Sequence, residues 1–317
     1  MCPVDALIIG GGPAGLTAAL TLAREAQSST VFDDGTYRNR LSNDMHMVLT
    51  ADGDNPREYR NAARENILSQ YDTVKIIETH ITKVRKTDTG FEAEDKTGKI
   101  WKGKKLILAT GVEDIFPAIE GYAECWSKGM QVYHCYFCKG FEDRGANSSG
   151  ILAVDIMTAI PFAMHAGRAA TPFSKTVVIY TNGNKTLAKE FEAAFLGSPI
   201  FKTDARKIKK FVKSRHGAEV IIKFEDGTQV TEGFIGHAPF TKAKGPFAEQ
   251  LGLETTPSGD IVANPPFLQT SVKGVFAAGD NAASMKITPN AQFMGSVAGA
   301  GVSGQIIAEA LGQPSMV

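Results

Sequence analysis

Hydrophobic and polar positions alternate with glycine turns in a recognisable order at the start of the chain. Residues 4–9 form a short, largely apolar run that stops at Gly10-Gly11-Gly12-Pro13-Ala14-Gly15, and residues 16–26 then carry Ala, Leu and Thr without a breaker. This predicts strand, glycine turn, helix. Residues 29–32 resume β-branched and aromatic character and end at Asp33-Asp34-Gly35, completing a βαβ unit with an acid at the end of its second strand. Further on, residues 74–84 and 91–101 predict smaller strands or a hairpin, and residues 105–109 predict a strand ending in Thr110-Gly111. Near the C-terminus Gly274-Val275-Phe276-Ala277-Ala278-Gly279-Asp280 repeats the order strand, glycine, acid. The small-residue segment 291–311 reads as a closing helix whose first turn starts near Thr288.

The two ends match in texture and the middle does not. It carries strands of its own at 151–154, 176–180 and 220–224, with turns at Asn182-Gly183 and Asp226-Gly227. The expected fold is therefore α/β, with two Rossmann-like βαβ domains and the second inserted in the first. Residues 1–115 and 242–317 make the discontinuous dinucleotide-binding domain, and residues 116–241 make the insert. Neither a solenoid repeat nor a low-complexity tract interrupts this plan.

Composition narrows the function classes. At 317 residues the chain is too long for one small module, and 43% hydrophobic with 21% charged residues is ordinary for a globular protein. Lys plus Arg and Asp plus Glu balance at 34 each, so no global field draws the chain to nucleic acid or anionic lipid. Only four cysteines are present, too few for a disulfide-stapled secreted scaffold. No apolar stretch approaches the roughly 18 residues of a membrane span, and the expectation is a soluble, cytoplasmic protein.

Three features carry chemistry. In Gly10-x-Gly12-x-x-Gly15, the first glycine allows the tight turn, the second lets backbone approach a pyrophosphate, and the third lets helix pack on strand. Phosphates then sit on the helix N-terminus, with Asp33 placed to accept from an adenosine ribose. A plain glycine turn at a buried helix start is the competing reading. Asp280, with Ile287 and Thr288 at the start of the last helix, supplies what a flavin needs beyond its ADP half: an acceptor for ribityl hydroxyls and a helix dipole facing the pyrimidine carbonyl. An Asp capping a turn is the alternative there. The third feature is His134-Cys135-Tyr136-Phe137-Cys138. Two cysteines three apart close a small disulfide or share a lowered thiolate pKa, whereas a zinc half-site lacks a second ligand pair. His134 touches the first cysteine and is a candidate acid or base, or simply a satisfied polar residue. Cys2 and Cys125 read as structural or incidental.

These residues, Gly10 to Gly15, Ala109-Thr110-Gly111, the Cys-x-x-Cys of the insert and Gly274 to Asp280, resemble the low-molecular-weight thioredoxin reductase family over nearly the whole chain. The resemblance implies FAD, a homodimer and a nicotinamide-type second domain carrying the disulfide. It also implies Arg38, His46 and Ala109 as flavin-side contacts beside Pro13 and Ala14. The second domain departs from that pattern, because Ile151-Leu152-Ala153-Val154-Asp155 has no glycine turn for a second pyrophosphate. Thr181-Asn182-Gly183-Asn184-Lys185 likewise lacks the basic cluster that would hold a 2′-phosphate.

Tyr133-His134-Cys135-x-Phe137-Cys138, Glu120-Gly121-Tyr122, Glu124-Cys125-Trp126 and Tyr37-Arg38-Asn39 look instead like the fungal dithiol oxidases of epidithiodiketopiperazine biosynthesis, the gliotoxin type. That resemblance implies oxidation of a small-molecule dithiol to an intramolecular disulfide, with O2 as acceptor and H2O2 as product. On this reading a substrate thiolate attacks Cys135, taken as the more exposed sulfur, Cys138 is released, and His134 deprotonates the second thiol. Lys139 stands where related enzymes have an acidic residue, which leaves proton handling to His134. An NADPH-dependent disulfide reductase and a non-catalytic flavin redox sensor are the rival readings.

Overall fold

The protein is described from a computed structural model covering residues 3–127 and 131–317; Cys2 lies outside the described residues. The chain opens with β1 (Val4–Ile9), α1 (Pro13–Arg24), β2 (Ser29–Asp33), α2 (Pro56–Gln70), β3 (Val74–Glu78), β4 (Ile81–Thr87), β5 (Gly90–Asp95) and β6 (Ile100–Leu108). It passes through β7 (Val112–Ile115) to α3 (Tyr122–Ser127), β8 (Val132–Tyr133), α4 (Tyr136–Lys139), β9 (Ala146–Leu152), a 3-10 turn (Asp155–Thr158), α5 (Ile160–Ala170), β10 (Ser174–Tyr180) and α6 (Lys185–Ala194). Then follow β11 (Phe201–Asp204), β12 (Ile208–Lys213), β13 (Val220–Phe224), β14 (Gln229–Glu232) and β15 (Ile235–Gly236), and the return through β16 (Phe240–Ala243) to α7 (Phe247–Leu251), β17 (Val275–Ala277) and α8 (Thr288–Ala310).

Two compact units result. One comprises residues 1–40, 55–113 and 241–317, the other 41–54 and 114–240. The segment 41–54, which the sequence reading keeps with the N-terminal domain, is grouped with the insert.

In the first unit the sheet runs β3-β2-β1-β6-β5-β4, with β17 also on β6, and β1, β2, β3, β6 and β17 are mutually parallel. Its central strands are covered on both faces, which is why residues 6–9 read as a continuous apolar run. Ala6 and Ile8 pack with Val31 and Ile107 under the helices α1 and α8, while Leu7 and Ile9 join Phe32, Leu106 and Leu108 on the other face. Small residues let the two helices meet closely: a Cβ on Gly295 would stand 2.2 Å from the Ala14 carbonyl oxygen, and one on Gly299 would stand 3.0 Å from that of Ala18. Helix α2, which the periodicity does not announce, starts on Asn55, whose side chain accepts from the Arg57 amide at 2.9 Å, with Pro56 in the first turn.

The second unit holds a parallel sheet of order β11-β10-β9-β15-β8 and an antiparallel meander β12-β13-β14. Ile151, Val177, Ile179 and Phe234 form part of one of its cores. The meander turns at Asp226-Gly227, where the Asp226 carboxylate accepts from the Thr228 amide at 2.8 Å.

Candidate active site

The glycine turn after β1 is built by close approaches. Gly10 has φ +116, and a Cβ there would stand 2.1 Å from the Ala109 carbonyl oxygen; one on Gly15 would stand 1.9 Å from that of Gly10. Gly12 differs, because nothing lies within 4 Å of the place its Cβ would take. It is also the N-cap of α1 and makes no side-chain hydrogen bond to the helix, with Pro13 following in the first turn. The result is open space beside a helix start, where the first backbone N–H groups lack partners within the helix and the dipole favours an anion.

The same strand ends gather the other predicted residues. Gly279, at φ +86, would bring a Cβ within 2.9 Å of the Ala14 side chain, so the end of β17 meets the start of α1. Asp280 follows it and faces Arg38 at 3.6 Å. Ile287 is the extended N-cap of α8, again without a side-chain cap, and Thr288 is its first residue. Asn281 is fully buried and donates to the Leu108 carbonyl at 2.9 Å, but its Oδ1 has no partner; a buried orphan acceptor of this kind is satisfied by a ligand or by water. The loop between β17 and α8 is fixed by Lys286, whose ammonium donates to Asp260 at 2.7 Å and to the Asp280 carbonyl at 2.9 Å.

Asp33 closes β2 directly beside the turn, since a Cβ on Gly11 would fall 2.1 Å from its Oδ2. It accepts from the Gly35 amide at 2.9 Å and from the Tyr37 hydroxyl and the Arg64 guanidinium. Arg64 comes from α2 and was not anticipated; the Asn55-Pro56 start signal was the one clue to that helix. Asp34 is held at about 2, because bonds from Lys244 and Thr36 outweigh the upward pull of burial. Asp33, Asp34, Tyr37, Arg64 and His80 line a cleft of about 260 Å³. Glycine cradle, strand-end acids and orphan acceptor together fit an extended dinucleotide.

In the second unit Cys135 and Cys138 are joined as a disulfide, with Cα atoms 5.2 Å apart. Cys135 is the N-cap of the one-turn helix α4. Its residue is 8% exposed while Cys138 is half-buried, so the expectation that Cys135 is the more exposed of the two is reversed. His134 is exposed, and its ring stacks on Trp126 at 5.6 Å with a 20° interplanar angle. Cys125 is buried and unpaired, its thiol pushed up to about 11 by burial and then by Glu124.

His46 is grouped with this unit rather than with the strand ends at Gly10 and Asp280. Its ring nitrogens face Asp52 at 3.4 Å, Glu142 at 3.8 Å and Asp44 at 3.9 Å, and Lys139 reaches Asp44 at 3.4 Å. The acid that Lys139 displaces has a neighbour the sequence reading missed: Asp143, whose carboxyl burial raises to about 6 against the opposing pull of Lys139. A titration that close to neutral suits proton transfer. Among the described residues, no cluster of His, Cys, Asp and Glu is arranged to hold a metal.

The second βα connection carries no glycine turn. β9 leads through Ala153 and Val154 into Asp155, held at φ +52 at the start of the 3-10 turn. The Asp155 carboxylate lies 4.0 Å from Nε2 of the buried His237, whose Nδ1 pairs with the Tyr122 hydroxyl at 2.6 Å. Burial lowers the His237 imidazole to about 4, so it is neutral at physiological pH. At the end of β10, Asn184 caps α6 by accepting from the Leu187 amide at 3.0 Å. The fold brings Lys207 against Gly183, a cation the linear reading did not count, while Arg206 is paired with Asp204 at 2.5 Å.

Residues 4–142 and 197–295 match the pyridine nucleotide-disulphide oxidoreductase family. Thioredoxin reductase tcpT of Claviceps purpurea is 49% identical over 99% of this chain and 97% of its own. Thioredoxin reductase aclD of Aspergillus oryzae is 44% identical over 95% and 96%, and thioredoxin reductase sirT of Leptosphaeria maculans is 39% identical over 96% of each. Among solved structures, an oxidoreductase from Agrobacterium tumefaciens superposes with a TM-score of 0.85 at 28% identity, covering 96% of this chain and 99% of that one. HlmI gives 0.86 at 25%, covering 98% and 94%. Among the described residues no helix is long and apolar enough to cross a membrane. With a glycine turn left open at Gly12, a Cys135–Cys138 disulfide and relatives that match over nearly their whole length, the chain belongs to the pyridine nucleotide-disulphide oxidoreductase family, as a thioredoxin-reductase-like oxidoreductase whose cofactor is FAD.

Proposed function

We propose that the enzyme oxidises a small-molecule dithiol to an intramolecular disulfide, of the epidithiodiketopiperazine type, with O2 as final acceptor and H2O2 as product. Gly10, Gly12, Ala14 and Gly15 would take the pyrophosphate, Asp33 the adenosine ribose, and Asp280, Ile287 and Thr288 the flavin half, with Ala109 and Arg38 beside them. FAD, when bound, supplies a two-electron acceptor that oxygen regenerates. Pro13 needs no N–H there and presets the helix start.

The chain's own part is thiol–disulfide exchange. One substrate thiolate attacks Cys135 and breaks the Cys135–Cys138 bond, so a mixed disulfide forms and Cys138 leaves as thiolate. His134 takes the proton of the second substrate thiol. That thiolate attacks the substrate sulfur held by Cys135, closing the substrate disulfide and leaving an enzyme dithiol, two electrons having passed from substrate to enzyme. Ring closure within one molecule outcompetes external thiols. Cys135 is assigned the first attack because His134 precedes it in the chain, not on exposure.

The observation that carries the choice of dithiol over nicotinamide is the second βα turn, where Asp155 sits in place of a glycine. A carboxylate at that position opposes a pyrophosphate. Balanced charge gives nucleic acid no purchase, the family resemblance supports a homodimer, and the low cysteine count supports a cytoplasmic location. The test mixes the flavin-loaded protein, under nitrogen, with NADPH or with a simple dithiol. Bleaching by the dithiol alone is expected; rapid bleaching by NADPH would replace this reading with a disulfide reductase, and bleaching by neither would leave a redox sensor.

A further inference from the structure

We propose that Trp126 is a positioning residue for His134, in an aromatic column that runs from the buried interior of the second unit to the residue preceding Cys135. The role rests on the dithiol-oxidase reading only for its effect on turnover; the column itself stands on geometry.

His134 follows the last residue of β8 and is exposed. A proton acceptor must be held in one orientation to act, and a packed neighbour is one way to hold it. The Trp126 indole lies nearly parallel to the imidazole, 5.6 Å between centroids at 20°. Trp126 in turn stacks on Tyr122, at 5.9 Å and 19°, and Phe116 packs against both rings at 5.6 and 5.2 Å. Tyr122 is 1% exposed and anchored by its 2.6 Å bond to His237.

The base of the column is rigid for a separate reason. Gly121, at φ +79, lets α3 start so close to β12 that a Cβ would fall 2.0 Å from the Phe211 carbonyl oxygen, and the Phe211 amide donates to the Glu120 carbonyl at 2.9 Å. Tyr122, Trp126 and His134 thus form one stack, with His237 set edge-on to Tyr122 at 86° behind it, and its outer face supports the imidazole of the residue that precedes Cys135. A parallel aromatic pair gains energy beyond its buried area, which favours the observed orientation of the exposed imidazole.

The test uses the full-length holoenzyme. Trp126→Leu should lower kcat for dithiol oxidation by about three- to ten-fold, the effect expected of one lost aromatic pair, with KM little changed. Trp126→Phe, which keeps a ring, should recover most of it. In a His134→Ala background the Trp126→Leu change should have no further effect on kcat, because the two side chains act as one unit. A second readout does not depend on turnover: the ring protons of His134 should resonate upfield in the wild type and move downfield in Trp126→Leu. Should Trp126→Leu fail to fold, the Phe variant alone should show a smaller upfield displacement. Unchanged His134 ring resonances, or an equal loss of kcat with and without His134, would overturn the proposal. If no dithiol is oxidised at all, the dithiol reading fails and the resonances still decide the stack.

Discussion

At the scale of single residues the glycine turn was fully legible, because only glycine tolerates the approaches at Gly10 and Gly15, and the motif's spacing encodes them. Asp143 was not, since its character comes from burial beside Lys139 and Tyr133 and not from any local pattern. Cys135→Ser should abolish dithiol turnover while leaving the protein folded and yellow; an absorbance spectrum and a peroxide assay check both halves. Asp143 also leaves a thermodynamic mark. Its carboxyl is raised in the folded state to about 6 from an ordinary 3.8, so its protonation stabilises the fold fully below the ordinary value, and that contribution is lost as pH rises through about 6. After allowance for partial exposure the effect is about 1–2 kcal/mol at most. Melting temperatures of the wild type should therefore fall relative to Asp143→Asn between pH 4 and pH 7, and parallel curves would refute the assignment.

Among elements, the strands and helices that build the cofactor end were readable because apolar runs bounded by glycine mark them: β1, α1, β2, β17 and α8 lie where the hydrophobic pattern places them. Elements with polar or sparse apolar positions were less so. β9 starts at Ala146, ahead of the apolar stretch from residue 151, because Ser148 and Ser149 pair with Thr176 and Val177 of β10 in spite of their polarity. Helix α2 buries Pro56, Arg60 and Ile67, too thin a stripe to register as amphipathic. The turn into α1 offers a contrast that separates packing from ligand binding. Gly12→Ala meets nothing in the protein and should leave the apoprotein's melting within about 0.5 kcal/mol of wild type while cutting flavin content sharply. Gly15→Ala drives a methyl into the Gly10 carbonyl and should cost at least about 2 kcal/mol of stability as well. Flavin absorbance per protein and a denaturant titration separate the two; equal stability losses would mean that the space at Gly12 is not a cradle.

For the molecule as a whole, a domain inserted in another was visible in the likeness of the two chain ends. The excursion of residues 41–54 into the second unit was not, because its ties are long-range: Asp44 to Lys139, and His46 to Glu142. Such pairings between distant segments leave no periodic trace. The first unit is finished only by its C-terminal part, since β17 lies on β6 and α8 covers α1. A chain stopped after Phe240 should accordingly bind no flavin and lose a cooperative melt for the N-terminal unit, as circular dichroism would record; a sharp transition there would contradict the division into units.

The close fit of Gly295 and Gly299 against Ala14 and Ala18 has a consequence during synthesis. The N-terminal helix leaves the ribosome well before its partner has been translated, an interval on the order of ten seconds or more at ordinary elongation rates. Throughout that wait the face of α1 that α8 later covers has no native partner, although β1, β2 and β3 can already pack on its other side.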